Sequence, residues 1–298
     1  MLNIRRSLPA VIAMLMWATN FVFSPAVIAE VGAIQLTGAR WFIAILILIP
    51  LAFALEKPKL ETIRGEWKTH LVQSLLGYVG YTLLLYFALE MTSPVTAAVL
   101  VALNPATIAI AAHFILNDRL SRIALAGIAV SFIGAVVVVI GGQSLSEMSL
   151  GLGDVLLLLA TVVWTVYSMI APRVKTPPIT ATTVQAGIAG LVMAPVMALD
   201  IFAGNTGWTT LDSVGWIGVI WIGLIPSAGA YFLWNISSEW IGPSRTGAFL
   251  NLIPVFTAVL VVALGGSVTV WHLLGGALVL LGVSVTNRRP APEPVTRA

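Results

Sequence analysis

The chain is 298 residues long, 59% hydrophobic and only 9% charged, with a formal net charge of +3. Soluble domains carry about 25% charged residues, so this composition excludes a soluble enzyme and a disordered chain, and the small basic surplus excludes a nucleic-acid-binding surface. There is no cysteine, which excludes disulfides, thiolate nucleophiles and cysteine-bound metal clusters.

A membrane-spanning helix needs about 20 mainly apolar residues. Ten such stretches follow one another, over 9–28, 34–55, 69–90, 95–115, 122–141, 152–171, 180–202, 214–235, 243–264 and 271–287. The first is not read as a removable signal peptide, because it holds Trp17, Asn20 and Pro25 and runs straight into the second. Lys and Arg are retained on the cytoplasmic side. With the N-terminus inside, the inner segments collect 13 of the 15 basic residues and the outer loops none; Arg40 and Arg245 fall within or at the edge of spans. Both termini are therefore expected in the cytoplasm. The organisation expected is a cytoplasmic N-terminus over 1–8, a first five-helix unit over 9–141 and an outer linker over 142–151. A second unit over 152–287 and a disordered cytoplasmic tail over 288–298 complete it.

The two units look alike. Trp17 and Pro25 match Trp164 and Pro172 at an offset of 147. Gly80, Glu90, Pro94, Pro105 and Gly127 match Gly229, Glu239, Pro243, Pro254 and Gly276 at an offset of 149. Five helices per unit is an odd number, so the second copy enters the membrane from the other side. The loop after the second span carries four basic residues and its counterpart after the seventh carries none, as inversion requires. Inverted repeats mark secondary transporters, whose substrate site lies near the midplane between the halves, although some channels share them.

Polar residues inside spans should face protein or a water-filled cavity. The third span carries Tyr78, Thr82 and Tyr86 at intervals of four, and the eighth carries Ser227, Tyr231 and Asn235 at the matching positions. Trp17, Asn20 and Ser24 share a face of the first span; Thr161, Trp164, Thr165 and Ser168 share one of the sixth. Asn104 and Asn251 sit near Pro105 and Pro254. Two readings are open. Together these side chains line a central cavity with aromatic walls and hydroxyl and amide groups, or singly they tie neighbouring helices together. Pro105 and Pro254 are expected mid-helix, as paired hinges or as static kinks. Gly77, Gly80, Gly127, Gly134, Gly276 and Gly282 read as close-packing points between helices. Arg40 is the basic residue well inside a span. It has three readings: contact with a substrate carboxylate, pairing with Glu30 or Asp154, or snorkelling. Glu90 and Glu239 read as gate or loop contacts, with Arg245 paired to Glu239.

Other chemistries have little support. His70, His113 and His272 form no cluster, so no metal site is expected. There is no paired-carboxylate, His-Glu-x-x-His or Gly-x-Ser-x-Gly arrangement and no phosphate-binding Walker loop. The chain is expected to be neither an enzyme nor an ATP-driven pump, and to need no cofactor.

Several segments in order resemble the drug/metabolite transporter superfamily, ten-helix EamA type. They are Met16-Trp17-Ala18-Thr19-Asn20-Phe21-Val22, then Arg40-Trp41-Phe42, then Tyr86 to Ser93 continuing through Ala97-Ala98 to Leu103-Asn104-Pro105. Gly127 to Gly134 and Gly276 to Gly282 follow. The family's acidic residue after the fourth helix is Asn117-Asp118 here, and Gly265-Gly266-Ser267 in the second half has no acid. The subgroup most resembled is the YddG-like amino-acid exporters of bacterial inner membranes. The resemblance implies an all-α membrane protein of ten helices in two inverted five-helix repeats. It further implies export of small organic metabolites, amino acids first, by alternating access. The expected partners are the small-molecule cargo and the lipid bilayer, with no nucleic acid and no obligate protein partner. The rivals are a drug or nucleotide-sugar carrier of the same fold, and a channel or intramembrane enzyme. A nucleotide-sugar carrier would need more intramembrane basic residues than Arg40.

Overall fold

The computed structural model describes residues 4–91, 100–117, 120–140, 151–205, 207–265 and 269–286. Pro94, Asp118, most of the expected outer linker and the expected tail lie outside the described residues. All regular structure among the described residues is helical. The helix Ile4–Leu55 is two spans joined: Gly32 interrupts it at φ 82°, ψ 161°, a conformation open to glycine alone among common residues. We call the two parts α1 (4–31) and α2 (33–55). The short loop expected between them is thus a single-residue turn. Glu90 supports it by accepting the backbone N–H of Ala33 at 3.3 Å.

The remaining spans are α3 (Trp67–Met91), α4 (Asn104–Leu116), α5 (Arg122–Ile140), α6 (Leu152–Ile170) and α7 (Pro178–Phe202). They are followed by α8 (Ser213–Ile241), α9 (Pro243–Ala263) and α10 (Val270–Thr286). Ten crossings return Thr286 to the face where Ile4 starts, here called the terminal face. The surface differs from a soluble protein's, and the mainly apolar interior also holds polar side chains. Phe114, Leu191 and Phe202 are 74–87% exposed, while Thr37, Arg40, His70, Ser74, Thr82 and Asn104 are buried. A surface of large apolar groups, with polar groups kept inside, suits hydrocarbon as the solvent.

The repeat is visible in the backbone. Each copy contains one seven-residue π-helical segment, Ser74–Gly80 in α3 and Gly223–Gly229 in α8, and the two lie 149 residues apart. The inversion is visible in the packing. α5 and α10, the fifth helices of the two copies, run antiparallel. Gly127 meets Gly282 and Thr286 at one end, and Gly134 meets Gly275 and Val279 further along. α2 and α7 are likewise antiparallel, with Gly38 against Met197 and Gly190 against Phe42. The first helix of each copy lies against the third and fourth helices of the other. Four of the six glycines expected at close contacts between helices are there. Gly80 and Gly276 are the exceptions: Gly80 meets the Leu75 carbonyl of its own helix and has Val163 of the neighbouring helix only at 3.8 Å, and Gly276 has only Val255 near at 3.7 Å, its neighbour Gly275 making the backbone approach instead.

Candidate functional site

A cavity lies between the copies, with about 440 Å³ of empty space, part of it open to the outside. α1 supplies Trp17, Asn20 and Phe21, α2 supplies Arg40, and α3 supplies Tyr81 and Leu85. Val101 and Asn104 come from the start of α4, Trp164 from α6, Tyr231 from α8, and Leu250 and Ile253 from α9. The wall is aromatic and aliphatic, with an amide at two points and a guanidinium at one. No carboxylate lines it among the described residues.

Arg40 is 3% exposed. Its Nε donates to Ser227 Oγ at 2.6 Å and its Nη1 donates to the Tyr86 hydroxyl at 2.7 Å. Tyr86 in turn donates to Asn20 Oδ1 at 2.9 Å. Ser227 follows Pro226, which has no N–H to offer, and its hydroxyl donates to the Ile222 carbonyl at 2.6 Å. The guanidinium carbon stands 5.0 Å from the Trp41 ring centroid and 5.6 Å from that of Tyr86, within cation–π range. Of the three readings of Arg40, snorkelling and pairing with Glu30 or Asp154 are both absent among the described residues. The side chain is held inward by two neutral hydroxyls, one from each repeat.

Beneath the cavity lies a layer of rings. Trp17 stands edge-on to Trp164 at 5.3 Å and to Tyr231 at 5.6 Å. Tyr78 packs on Trp41 and on Tyr231, both at 4.6 Å, and Trp164 packs on Trp234 at 5.2 Å. Three polar tips in and below the layer reach backbone or amide oxygens, while the Tyr78 hydroxyl and the Trp164 and Trp234 Nε1 groups have no partner among the described residues. Tyr231 donates to the Gly77 carbonyl at 2.7 Å, Trp17 Nε1 to the Pro226 carbonyl at 3.0 Å, and Tyr167 to Asn235 Oδ1 at 2.9 Å. A second cavity of about 330 Å³ opens on the terminal-face side, lined by Gln73, Thr176, Pro178, Gln185, Asn235 and Glu239 among others. Along α3, Gln73 borders the second cavity, Tyr78 stands in the layer, and Tyr81 and Leu85 border the central one. Along α8 the order is Glu239, Asn235, Trp234, Tyr231. The layer therefore lies between the two cavities.

Of the residues singled out from sequence, Trp17, Asn20, Asn104, Trp164, Tyr231 and Arg40 border the central cavity. Tyr86 and Ser227 stand behind Arg40. The others take different places. Tyr78 belongs to the aromatic layer and Asn235 to the base of it. Thr82 is 1% exposed and does not line the cavity. The Ser168 hydroxyl turns back along its own helix to the Trp164 carbonyl at 2.8 Å, a local bond that competes with any outward role. Asn251 turns its amide to the Ser131 hydroxyl at 2.9 Å, tying α9 to α5. The prolines are a correction: each stands just after a break within its span and not inside an unbroken helix. Pro105 is at the second position of Asn104–Leu116, and Pro254 is the third residue of Leu252–Ala263, just after a 3-10 turn over Phe249–Asn251. In a first helical turn a missing N–H costs no intrahelical bond, so the break precedes the proline. Glu239 is exposed at the second cavity.

Several polar residues were not singled out from the sequence. Gln185 Nε2 donates to Gln73 Oε1 and lies 3.4 Å from His70 Nδ1, while His70 Nε2 meets Thr176 Oγ1 at 3.0 Å. Two carboxylates hold the segment between α6 and α7. Glu56 accepts the backbone N–H groups of Ile179 and Thr180 at 2.9 and 2.7 Å, capping α7. Glu66 accepts those of Lys175 and Thr176, both at 2.8 Å, and the Thr176 hydroxyl at 2.7 Å. Partial burial pushes the Glu66 carboxyl pKa up, but these donors outweigh it and hold the pKa below its ordinary value. On the opposite face Asp200 plays the matching part, accepting from Gln35 at 2.7 Å and Asn205 at 2.9 Å. Glutamine inside an apolar run was the available signal for Gln35, Gln73 and Gln185.

Comparison with known proteins agrees with this architecture. An uncharacterized transporter, YyaM, of Bacillus subtilis (strain 168) is 29% identical over 248 residues, covering 82% of this chain and 81% of its own. The aromatic amino acid exporter YddG of Ancylobacter novellus is 26% identical over 210 residues, covering 69% and 70% respectively. A solved crystal structure superposes with a TM-score of 0.79 over 94% of this chain and 96% of that one, at 22% identity, a likeness of fold. The profile of the EamA-like transporter family matches residues 7–140 and again residues 151–288, and the chain belongs to that family of membrane transporters.

Proposed function

We propose that this protein exports small organic metabolites, foremost amino acids with aromatic or other apolar side chains, by alternating access through the central cavity. The observation that carries the reading is that both inverted copies contribute walls to one aromatic-lined cavity of about 440 Å³, the arrangement in which rocking of one copy on the other exposes a site to each side in turn. The name of the YddG relative supports the choice of amino acids. Both termini are assigned to the cytoplasm of a bacterial cell from the distribution of Lys and Arg, which puts the second cavity on the cytoplasmic side and makes the aromatic layer the closed inner barrier. The repeats are assigned to 9–141 and 152–287. With no carboxylate in the cavity wall among the described residues, we assign a facilitated, substrate-driven cycle rather than a proton-driven one.

The test is counterflow in proteoliposomes preloaded with unlabelled amino acid, across aromatic, aliphatic, hydroxyl and charged members. Saturable, preload-dependent uptake of the aromatic and aliphatic members is expected. Flux no greater than in empty vesicles for every amino acid would remove them as cargo, and unsaturable flux indifferent to preloading would indicate a channel.

A further inference from the structure

Resting on the transporter reading above, we propose that the central cavity recognises a zwitterion by its two charged ends: Arg40 Nη2 takes the carboxylate and Asn104 Oδ1 takes the ammonium group. Arg40 is a buried cation whose hydrogen-bond partners, Ser227 and Tyr86, are neutral, and no carboxylate partners it among the described residues. Such a charge is expensive inside a membrane protein and calls for an anion. Two of its nitrogens are fixed by the hydroxyls, which sets the plane of the guanidinium. Nη2 has no protein partner among the described residues, on a side chain that borders the cavity. A planar fork pre-set in this way suits a carboxylate.

Asn104 supplies the complement. It is 1% exposed and borders the same cavity. Its Nδ2 donates to the Val101 carbonyl at 2.9 Å, which fixes the amide, and its Oδ1 has no donor. A buried acceptor without a donor is costly, and an ammonium group satisfies it. The rings of Trp17 and Trp164 border the same cavity and offer π-faces to the cation or to an apolar side chain. An amine lacking a carboxylate would bring a second positive charge to Arg40 and leave it unpaired, so amine drugs are excluded by the same geometry. A carboxylate lacking the amine would satisfy Arg40 and leave Asn104 unmet.

The experiment is competition against labelled L-phenylalanine and L-leucine counterflow by each amino acid, its amide, its decarboxylated amine and its desamino acid. On the wild-type protein the amide and amine are expected to compete roughly 10- to 100-fold more weakly than the amino acid, the scale of a lost charged hydrogen bond. The desamino acid is expected in between. Arg40→Gln should abolish the preference of acid over amide, and Arg40→Lys should restore part of it; Asn104→Leu should weaken the amino acid and leave the desamino acid unchanged. Acid and amide competing equally on the wild type would overturn the proposal while the transporter reading stands, as would an Arg40→Gln variant that loses acid and amide in equal measure. If no amino acid is exchanged, the reading of amino acids as cargo fails instead. The same compounds titrated against tryptophan fluorescence of the detergent-solubilised protein then decide recognition, and binding that ignores the carboxylate would overturn it.

Discussion

At Gly134 the helices α5 and α10 approach backbone to backbone. A Cβ added there would lie 2.6 Å from the Val279 amide nitrogen and 2.7 Å from the Gly275 carbonyl oxygen. Ordinary contact begins at 3.4 Å, so Gly134→Ala is short of space by about 0.8 Å against main-chain atoms. No rotamer change relieves that; the helices must part. Gly127, Gly275 and Gly282 make similar approaches along the same seam, so parting at one point loosens the others. Overpacking of this kind costs about 1–3 kcal/mol, and the helix propensity gained by replacing glycine returns about 0.5–1 kcal/mol. The net expectation is a loss of about 1–2 kcal/mol. Gly187→Ala in α7 is the control, since a Cβ there meets nothing within 4 Å, and it should be neutral or stabilising by up to about 1 kcal/mol. Thermal unfolding in detergent, followed by tryptophan fluorescence, should place Gly134→Ala below wild type and Gly187→Ala at or above it, about 4–8 °C apart. Equal midpoints for the two variants would refute the reasoning, because the close approach would then carry no energetic weight.

Other outcomes follow from the site. Trp17→Ala removes the ring that meets Trp164 and Tyr231 at 5.3 and 5.6 Å; each such pair is worth about 0.5–1.5 kcal/mol, so the unfolding midpoint should fall, with Trp17→Phe milder, and because the ring also borders the cavity half-saturation in counterflow should rise. Tyr231→Phe deletes the 2.7 Å bond to the Gly77 carbonyl and should lower stability by about 1–3 kcal/mol, read as an earlier unfolding midpoint. The Glu66 clamp gives a pH dependence. Its folded-state pKa lies below the ordinary 4.5, so its stabilisation is complete above that value and is lost as pH falls through the lower folded value. Wild type should therefore melt above Glu66→Gln at neutral pH, and the gap should close as the medium is acidified below about pH 4; a gap that persists there would show that the carboxylate's charge is irrelevant.

The span pattern was legible because hydrocarbon imposes one rule on every residue that faces it, and the inverted repeat because Gly80, Pro105 and Glu90 have counterparts at one offset. The cavity was legible in part. Trp17, Asn20, Asn104, Trp164 and Tyr231 border it, as the polar and aromatic stripes suggested. Spacing of four was a poorer guide along α3, because the π-helical segment at Ser74–Gly80 changes the angular register between Tyr78 and Tyr86. Ser168 and Asn251 were misplaced for a different reason. Short polar side chains have local partners within reach, a carbonyl one turn back or a hydroxyl on the next helix, and composition cannot tell which they take. The prolines marked the breaks correctly but not their side, since the first turn of a helix accommodates proline without loss. Gln73, Gln185 and His70 form a network from two distant segments, which no single helical face reveals.

The two π-helical segments have a consequence for ancestry. A wide turn of this kind holds more residues than an α-turn would, so removing one residue from it would restore α winding and rotate the rest of the span by about 100°. In α8 that rotation would swing Tyr231 and Asn235 away from Gly77 and Tyr167; in α3 it would carry Tyr86 away from Arg40. Because the segments stand 149 residues apart, at equivalent places in the two copies, the simplest history puts the extra residue in a single five-helix forebear, before its gene was doubled. A forebear already so wound could have met a second molecule of itself in the opposite orientation, α5 to α5 through the glycine seam, and the present chain would be that pair fused.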